Sequence, residues 1–160
     1  MLITLELYVM LVLANGTPVV AARLLKDRWS APVDGDRLWG DGRPVFGHSK
    51  TWRGVAFGTL ACALFSVATG LGFVFGVLFG LLGLAGDLIS SFIKRRLGLD
   101  SSARAVGLDQ IPEALLPMLL AMVWLPVSAW VVIAVVALFT VSNILASPLL
   151  YRLGIRRQPH

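Results

Sequence analysis

The sequence has little charge. Only 14% of its 160 residues are charged, whereas 57% are hydrophobic and the mean hydropathy is +0.80. A water-soluble domain usually carries about a quarter charged residues. The composition therefore excludes an ordinary soluble fold and predicts a membrane protein.

The sequence also lacks a second cysteine and a basic amino-terminal segment. Cys62 is the single cysteine and lies within an apolar run, which excludes an internal disulfide and indicates a packing role. A secretory signal peptide begins with positive charge, yet the first basic residue here is Arg23. We therefore expect the first apolar segment to be retained in the protein.

Three long stretches of the chain carry almost no charge. Residues 2–25 have the length of about 20 residues that one membrane-spanning helix needs. Residues 54–86 and 114–150 contain no charged residue, and each stretch is too long for a single span. Turns predicted at 69–72 and 125–128, which contain glycine or proline, divide each stretch into two helices. The sequence therefore predicts an all-α integral membrane protein of about five transmembrane helices.

The basic residues are confined to three regions. Seven Lys or Arg lie in 23–53, four in 94–104 and three in 152–157, which accounts for all 14. With five spans these regions share one membrane face, and the excess of positive charge on cytoplasmic loops makes that face cytoplasmic. The amino terminus is then outside and the carboxyl terminus is cytoplasmic.

No soluble domain or internal repeat is visible in the sequence. Residues 1–160 are therefore predicted to form one membrane-embedded domain of a multi-pass protein of the cell membrane. Its cytoplasmic loops are expected at about 26–53 and 94–112 and are too short to fold alone. Any active site is then built jointly by loops and helix ends and faces the cytoplasm. The net charge of +5 follows this orientation, so no nucleic-acid partner is expected.

The cytoplasmic end of the predicted third helix carries a polar face. Asp87, Ser90, Ser91 and Lys94 follow one another at i, i+3, i+4 and i+7, a spacing that places them on one side of a helix. An aspartate at the end of so long an uncharged run favours a functional role. The alternative is that Asp87 pairs with Lys94 or Arg95 while the basic cluster anchors the helix among lipid headgroups.

A stripe of glycines precedes this polar face. Gly72, Gly76, Gly80 and Gly83 recur at three- and four-residue spacing. Small residues on one stripe let a second helix backbone approach closely, which would position Asp87 rigidly. Because the same stripe would serve two-fold assembly, a homodimer is one expectation.

The first charged loop ends in a group suited to phosphate. Ser49, Lys50 and Thr51, at the predicted start of the second helix, offer backbone amides, hydroxyls and an ammonium to phosphate oxygens. The spacing is not that of a Walker A loop. Alternatively, Ser49 or Thr51 caps the helix and Trp52 anchors it at the membrane interface.

Asp109, just before the fourth predicted helix, offers a second carboxylate. By itself it is explained as a helix cap. Together with Asp87 it would hold Mg²⁺, which takes few protein carboxylates along with substrate phosphates and waters. Lys50, Lys94 and Arg95 would complete a phosphate site beside the metal.

The first predicted helix contains the polar run Asn15-Gly16-Thr17-Pro18. Pro18 frees a backbone carbonyl and Asn15 places an amide within the membrane, so we expect the helix to be interrupted there. The break either lines a cleft at the site or is a kink satisfied by a neighbouring helix.

Taken in order along most of the chain, these motifs resemble the CDP-archaeol synthases, a family within the wider CTP:phosphatidate cytidylyltransferase group. The residues that carry the resemblance are Asn15-Gly16-Thr17-Pro18, Pro32-Val33-Asp34, Asp41-Gly42-Arg43, Gly47-His48-Ser49-Lys50-Thr51-Trp52-Arg53-Gly54, Gly86-Asp87 with Ser91, Lys94-Arg95-Arg96, and Leu108-Asp109-Gln110. One departure is Gly47-His48-Ser49-Lys50, where archaeal members are expected to have a stretch like Gly-Asp-Gly-Lys.

The resemblance implies a Mg²⁺-dependent enzyme that transfers a cytidylyl group from CTP to a membrane lipid phosphate, either of the archaetidic type or phosphatidic acid. The products would be a CDP-lipid and pyrophosphate. By resemblance, Asp87 and Asp109 hold the metal and act in catalysis with Lys50 and Lys94. The residues assigned to phosphates, nucleotide or the shape of the site are Asn15, Asp41, Ser49, Lys50, Thr51, Ser91, Lys94 and Arg95.

Two other functions are weighed against this one. A phosphotransferase acting on CDP-alcohols would need several aspartates on adjacent helical turns, and none surround Asp87. A small transporter or channel would use Asn15 and Asp87 to line a pathway. Because the polar groups gather at one membrane face, the pattern favours the enzyme.

Overall fold

Five α-helices make up the part of the protein that the structure describes. The computed structural model describes residues 2–100, 103 and 105–152, with side chains described as far as 146. The helices are α1 (Leu2–Leu25), α2 (Trp52–Ala68), α3 (Phe73–Arg96), α4 (Ile111–Trp124) and α5 (Ala129–Arg152). Arg104 and residues 153–160, which carry part of the predicted basic regions and the predicted cytoplasmic carboxyl terminus, lie outside the described residues. Over the described ranges, β-structure is limited to two isolated bridges, Pro32 with Thr51 and Leu38 with Pro44.

The all-α prediction and the number of helices are confirmed, and both predicted turns separate helices where expected. The helices α1, α3 and α5 are long and apolar enough to cross a membrane. The helices α2 and α4 are apolar but have only 17 and 14 residues. The loops are shorter than predicted, at 26–51 and 97–110, because α2, α3 and α4 each extend by two or three residues into them. The orientation across the membrane stays a prediction.

The helix α1 runs without interruption through Pro18, so the expected break is wrong. Pro18 has no N–H to donate to the carbonyl of Ala14. Gly58 of α2 packs against that carbonyl instead, since a Cβ on Gly58 would lie 2.8 Å from the Ala14 oxygen. The Asn15 side chain donates to the Leu11 carbonyl of its own helix at 3.0 Å. The Asn15 amide is therefore hydrogen-bonded within α1, and the carbonyl that Pro18 leaves free lies against α2.

The glycine stripe of α3 packs against α2. A Cβ on Gly76 would lie 2.7 Å from the Cα of Ala63, and one on Gly80 would lie 2.9 Å from the Cα of Thr59. The predicted close approach is thus confirmed at these two positions, and the approaching helix belongs to the same chain. Because α2 of the same chain occupies the glycine stripe, the stripe no longer supports the predicted homodimer. The homodimer itself stays a prediction.

The helices α2 and α4 both begin at the level of Asp87. The register set by Gly76 with Ala63 and Gly80 with Thr59 places the first residue of α2 opposite Asp87. On the other side, Gly86 lies against the backbone of Pro112, in the first turn of α4. From Asp87, α3 continues to Arg96 and projects about 14 Å beyond these two helix starts, at ~1.5 Å per residue. The two charged loops fold against this projection.

The hydrophobic core lies between the helices, on the side of Asp87 that faces away from the charged loops. Leu7, Met10, Leu11 and Ala14 of α1 are fully buried at a spacing that forms one helical face. They pack with Phe75 and Phe79 of α3, Met118 of α4 and Val135 and Phe139 of α5. The outward faces carry exposed large hydrophobic residues, as expected for contact with lipid.

The two short turns lie together at the end opposite the charged loops. The rings of Phe75, near the start of α3, and Trp124, at the end of α4, have centroids 6.2 Å apart. Among the side chains that the structure describes, every charged one except Glu6 lies toward the other end of the helices.

Candidate functional site

Lys50 and Asp87 form the ion pair at the base of the site. The Lys50 Nζ donates to both carboxylate oxygens of Asp87, at 2.7 and 2.6 Å. The side chains are 24% and 27% exposed, so solutes reach both groups. The sequence alternatives had paired Asp87 with Lys94 or Arg95, and in the structure its partner is Lys50.

The start of α2 explains why Lys50 reaches Asp87. Thr51 has an extended backbone and its hydroxyl accepts from the Gly54 N–H at 3.2 Å, so it is the N-cap of α2. The Lys50 N–H donates to the Gly47 carbonyl at 3.1 Å, and the Lys50 carbonyl accepts from Val33 at 2.8 Å. These contacts end the loop at the level of Asp87. The helix-cap interpretation of Thr51 is confirmed, while its role in phosphate binding stays a prediction.

A second ion pair joins α3 to the second loop. The Lys94 Nζ lies 2.7 Å from Asp109 Oδ1 and donates to the Ala103 carbonyl at 3.1 Å. The other carboxylate oxygen of Asp109 accepts from the Ala105 N–H at 2.9 Å. The side chains of Lys94 and Asp109 are 11% and 25% exposed. This pair is therefore more enclosed than the pair of Lys50 with Asp87.

The two pairs lie along one face of α3. Lys94 follows Asp87 by seven residues, which is two helical turns on the same side. Long side chains on a helix lean toward its amino terminus, so Lys94 leans toward Asp87. Ser91, one turn from Asp87, is buried on this face. The structure thus gathers two lysines and two carboxylates on one strip, each carboxylate in contact with a different lysine.

Gln110 and Arg95 hold the second loop against α3. The buried Gln110 side chain accepts from the Gly107 N–H at 2.9 Å, which closes the turn that carries Asp109. Arg95 donates to the Asp100 carbonyl at 2.8 Å and is 5% exposed. Its Nε is buried, and none of the residues that the structure describes provides it with an acceptor. The predicted contact of Arg95 with phosphate stays a prediction.

Asp34 organises the first loop. Its carboxylate is 7% exposed and accepts from the backbone N–H groups of Asp36 at 3.1 Å, Phe46 at 2.8 Å and Gly47 at 2.9 Å. Burial alone would raise the pKa of this carboxyl, but these backbone donors stabilise the charged form and hold the pKa below the usual value for an aspartate. Asp34 thereby fixes the turn from which Lys50 follows.

Three other predicted site residues lie outside this strip of two lysines and two carboxylates. Asn15 lies within α1 and bonds to its own helix. Ser49 is exposed beside Lys50 in the chain. Asp41 lies on the first loop, 3.0 Å from Arg96 NH1. Their contacts with a nucleotide stay predictions.

The donor set limits the kind of metal site. No cluster of three or more His, Cys, Asp or Glu suited to a metal occurs among the described residues. Asp87 and Asp109 would therefore supply carboxylates without a complete protein cage. Mg²⁺ commonly binds through one or two carboxylates and completes its shell with substrate phosphates and waters. The residues present fit Mg²⁺ that arrives with a nucleotide.

Residues 2–160 match the protein family described as CarS-like, CDP-archaeol synthase. The chain belongs to the CDP-archaeol synthase family. A CDP-archaeol synthase of Sulfurisphaera tokodaii is 33% identical over 160 residues, covering 95% of this chain and 92% of that protein. Another, of Thermococcus onnurineus, is 40% identical over 109 residues, covering 61% of each chain. A match to the Pyrococcus furiosus protein likewise spans 60% of it. The chain therefore spans about three fifths of the length of these last two relatives.

A solved structure described as an intramembrane enzyme for archaeal membrane lipids biosynthesis is also similar. Its TM-score is 0.68 at 28% identity, and the match covers 86% of this chain and 90% of that one. The similarity in fold and the family membership agree with each other. They also confirm the resemblance inferred from the ordered motifs.

Some residues that build the site had no role in the sequence prediction. Asp34, Arg43 and Gln110 lie inside the motifs that resemble the CDP-archaeol synthase family, but none forms a recognisable local pattern. Each acts through hydrogen bonds to or from backbone groups. Their presence in ordered family motifs was the signal that would have identified them.

Proposed function

We propose that the protein transfers a cytidylyl group from CTP to the phosphate of a membrane lipid of the archaeal ether type. The observation that carries the proposal is the strip of two ion pairs, Lys50 with Asp87 and Lys94 with Asp109, at the level where α2 and α4 begin. Family membership supports the reaction type. Phosphatidic acid presents a similar phosphate and is tested as a second acceptor below.

The site favours anions through its helix ends as well as its lysines. The amino termini of α2 and α4 lie beside Asp87, and a helix amino terminus carries partial positive charge. Lys50 and Lys94 add two ammonium groups. The phosphates of CTP would therefore bind between the helix starts and the projecting end of α3.

Lys50 and Asp87 would change partners when the substrates bind. About a quarter of each side chain is exposed, so phosphate oxygens can approach Lys50 from the loop side. A phosphate that takes the ammonium frees the Asp87 carboxylate for Mg²⁺. In the same way, Lys94 would contact a second phosphate group, and Asp109 would then contact the metal.

The reaction needs alignment rather than a covalent enzyme intermediate. An oxygen of the lipid phosphate attacks the α-phosphorus of CTP and forms a new P–O bond. The bond from the α-phosphorus to the bridging oxygen breaks, and pyrophosphate leaves with that electron pair. Because the attacking phosphate is already anionic, no general base is required. Lys50 and Lys94 hold the phosphates in line and neutralise their repulsion.

Mg²⁺ is the cofactor that we propose for this site. When bound, it would withdraw charge from the phosphates and stabilise the leaving pyrophosphate. Asp87 and Asp109 are the residues that would hold it. The carboxylates need no other protein ligand, since the nucleotide brings its own oxygens.

A groove between α4 and α5 supports a lipid acceptor. Its volume is about 430 Å³, and its lining is almost entirely apolar. It begins at Ile111, which directly follows Gln110 in the loop of Asp109, and continues past Leu115 and Val136. An apolar groove that starts at the site and runs along the helices suits one hydrocarbon chain of the acceptor, whose phosphate would then lie beside Asp109.

The experiment uses the purified chain in lipid nanodiscs with radiolabelled CTP, Mg²⁺ and either an archaetidic-type lipid phosphate or phosphatidic acid. We expect CDP-lipid formation that disappears on chelation and in the Asp87→Asn and Asp109→Asn proteins. Asp36→Asn is the matched control, because Asp36 is an exposed carboxylate of the same loops with a left-handed backbone that asparagine also adopts. No CDP-lipid with either acceptor would refute the proposal, and full activity of Asp87→Asn would remove the site assignment.

A further inference from the structure

The first loop folds into a small hairpin that reaches the end of α3. The bridge between Leu38 and Pro44 defines it, together with the bond from the Trp39 N–H to the Arg43 carbonyl at 2.7 Å. The hairpin lies beside the last turn of α3, where the rings of Trp39 and Phe92 meet edge to face at 5.3 Å. Its contacts with α3 involve two arginines, one from each element.

Arg96, the last residue of α3, reaches into the hairpin. Its NH1 lies 3.0 Å from Asp41 Oδ1, and its NH2 donates to the Pro44 carbonyl at 2.6 Å. The guanidinium lies over the rings of Phe92 and Trp39, at 5.0 and 5.9 Å from their centroids. The same NH2 donates to the Arg43 carbonyl at 3.4 Å. An ion pair, two backbone bonds and two cation–π contacts therefore hold one side chain.

Arg43, from the hairpin, reaches in the opposite direction. Its NH1 donates to the carbonyls of Arg95 and Arg96, at 3.2 and 3.0 Å. Carbonyls at the end of a helix lack a partner within the helix, and Arg43 supplies one to Arg96. The Arg95 carbonyl also accepts from the Gly98 N–H at 3.1 Å, so Arg43 adds a second bond there. Gly98 lies beneath this guanidinium with φ +75°, and a Cβ there would lie 3.0 Å from NH1. The two arginines thus each bind the backbone of the other's segment.

We propose that this arginine clasp, made of Arg43, Arg96 and Asp41, is a positioning device that sets the separation of Lys50 and Lys94. The proposal rests on the proposed function, because the two lysines are its phosphate ligands. Lys94 lies two residues before Arg96 on a rigid helix. Lys50 lies six residues after Pro44, and Asp34 fixes the intervening Phe46 and Gly47.

The clasp assigns Asp41 a different task from the predicted one. Its Oδ1 accepts from the Arg43 N–H at 3.1 Å and contacts Arg96, so one carboxylate oxygen serves both arginines. In the sequence prediction Asp41 contacts the nucleotide or shapes the site. Under the clasp, it acts on CTP only through the position of the lysines.

The first test measures geometry without any substrate. Spin labels are placed at His48, which is exposed in the first loop, and at Leu97, which is 65% exposed after α3, in a Cys62→Ser background. Double electron–electron resonance then gives the distance distribution between the loop and the end of α3. We expect a narrow distribution in the parent and a broad one in Arg96→Ala. A distribution that stays narrow in Arg96→Ala overturns the proposal, whatever the activity.

The second test separates the clasp from direct nucleotide binding. Asp41→Asn keeps the oxygen that accepts from Arg43 but removes the charge that pairs with Arg96. We expect Asp41→Asn to raise the KM for CTP about threefold and Arg96→Ala about tenfold, with kcat changed less than either. In the Arg96→Ala background, Asp41→Asn should add nothing. An undiminished effect there would show that Asp41 acts on CTP itself.

Arg96→Lys keeps the proposal testable if Arg96→Ala does not fold. Lysine retains the positive charge opposite Asp41 but lacks the second guanidinium nitrogen, which in Arg96 donates to the Pro44 carbonyl. We expect a distance distribution broader than that of the parent and a KM for CTP above that of the parent. A distribution as narrow as that of the parent would overturn the proposal. A parent protein that turns over no CTP would refute the proposed function, while the spin-label measurement would still decide the clasp.

Discussion

Gly86 of α3 lies so close to the backbone of Pro112 in α4 that no side chain fits between them. A Cβ at this position would also lie 2.6 Å from the Cα of Glu113. Asp87 is the next residue along α3, and Asp109 lies three residues before Pro112. This contact therefore sets how close the two carboxylate-bearing segments come to each other.

The first prediction concerns this contact. We expect Gly86→Ala to destabilise the protein by about 2 kcal/mol, because α4 must move away, and to lower CTP turnover at least about tenfold. Gly83→Ala is the matched control one turn earlier, since its Cβ would meet nothing closer than 3.5 Å. The thermal midpoint and the turnover of both variants check this. Equal effects of the two substitutions would contradict it.

The second prediction compares the two lysines. Lys94→Met should lower the free energy of unfolding by about 2 kcal/mol, because it leaves Asp109 in the more enclosed pair without its partner. Lys50→Met should cost about 1 kcal/mol or less, because Lys50 is about twice as exposed as Lys94 and solvent already screens its pair with Asp87. Both variants should lose at least about 99% of CTP turnover, as each removes a phosphate ligand. Unfolding measurements in which Lys50→Met is the more destabilised protein would contradict this order.

The sequence predicted the architecture better than the site. Long uncharged runs and the turns at 69–72 and 125–128 depend on local composition, so five helices followed from them. The main charged residues of the site could be predicted as well, because charges beside apolar spans are conspicuous in a sequence. They are Lys50, Asp87, Lys94 and Asp109.

The contacts between these residues could not be predicted in the same way. The partner of Asp87 lies 37 residues away, and Arg43 binds carbonyls 52 and 53 residues away. Such pairs depend on the register of α2 against α3. The close packing at Gly76 and Gly80 fixes this register, and it becomes visible once the helices are packed. The sequence indicated no contact for Arg96 beyond the basic cluster that could anchor the helix among lipid headgroups. The uninterrupted α1 was missed for a related reason, since Gly58 of another helix accommodates the carbonyl that Pro18 leaves free.

The third prediction concerns pH. The pKa of Asp34 is held below its value in an unfolded chain, so its charged form stabilises the folded protein. That contribution is fully present above the unfolded pKa of about 3.9 and is lost as the pH falls through the lower folded pKa. Asp34→Asn should therefore cost about 1 to 2 kcal/mol at pH 5 to 8, with the difference from the parent shrinking below about pH 4. Thermal midpoints measured across this range check it, and a difference independent of pH down to pH 3 would contradict it.

The fourth prediction concerns orientation. Cysteines replacing Gly40 in the first loop and Ser128 in the α4–α5 turn, each in a Cys62→Ser background, occupy exposed positions at opposite ends of the helices. If the charged loops face the cytoplasm, a membrane-impermeant maleimide added to intact cells should label position 128 and leave position 40 unlabelled until the cells are opened. Labelling of position 40 in intact cells would place the charged loops outside.

The fifth prediction concerns the acceptor's hydrocarbon chain. Ala137 lines the groove between α4 and α5, so Ala137→Trp should fill part of it. We expect the KM for a long-chain lipid phosphate to rise about tenfold, while a short-chain soluble analogue is used as before, because only the long chain needs the groove. Leu138→Trp is the matched control, since Leu138 is 54% exposed and is not among the residues that line the groove. An equal rise in the KM for both acceptors would contradict this prediction. The substitution would then be acting on the site through α4, and the hydrocarbon chain of the lipid would have to bind elsewhere.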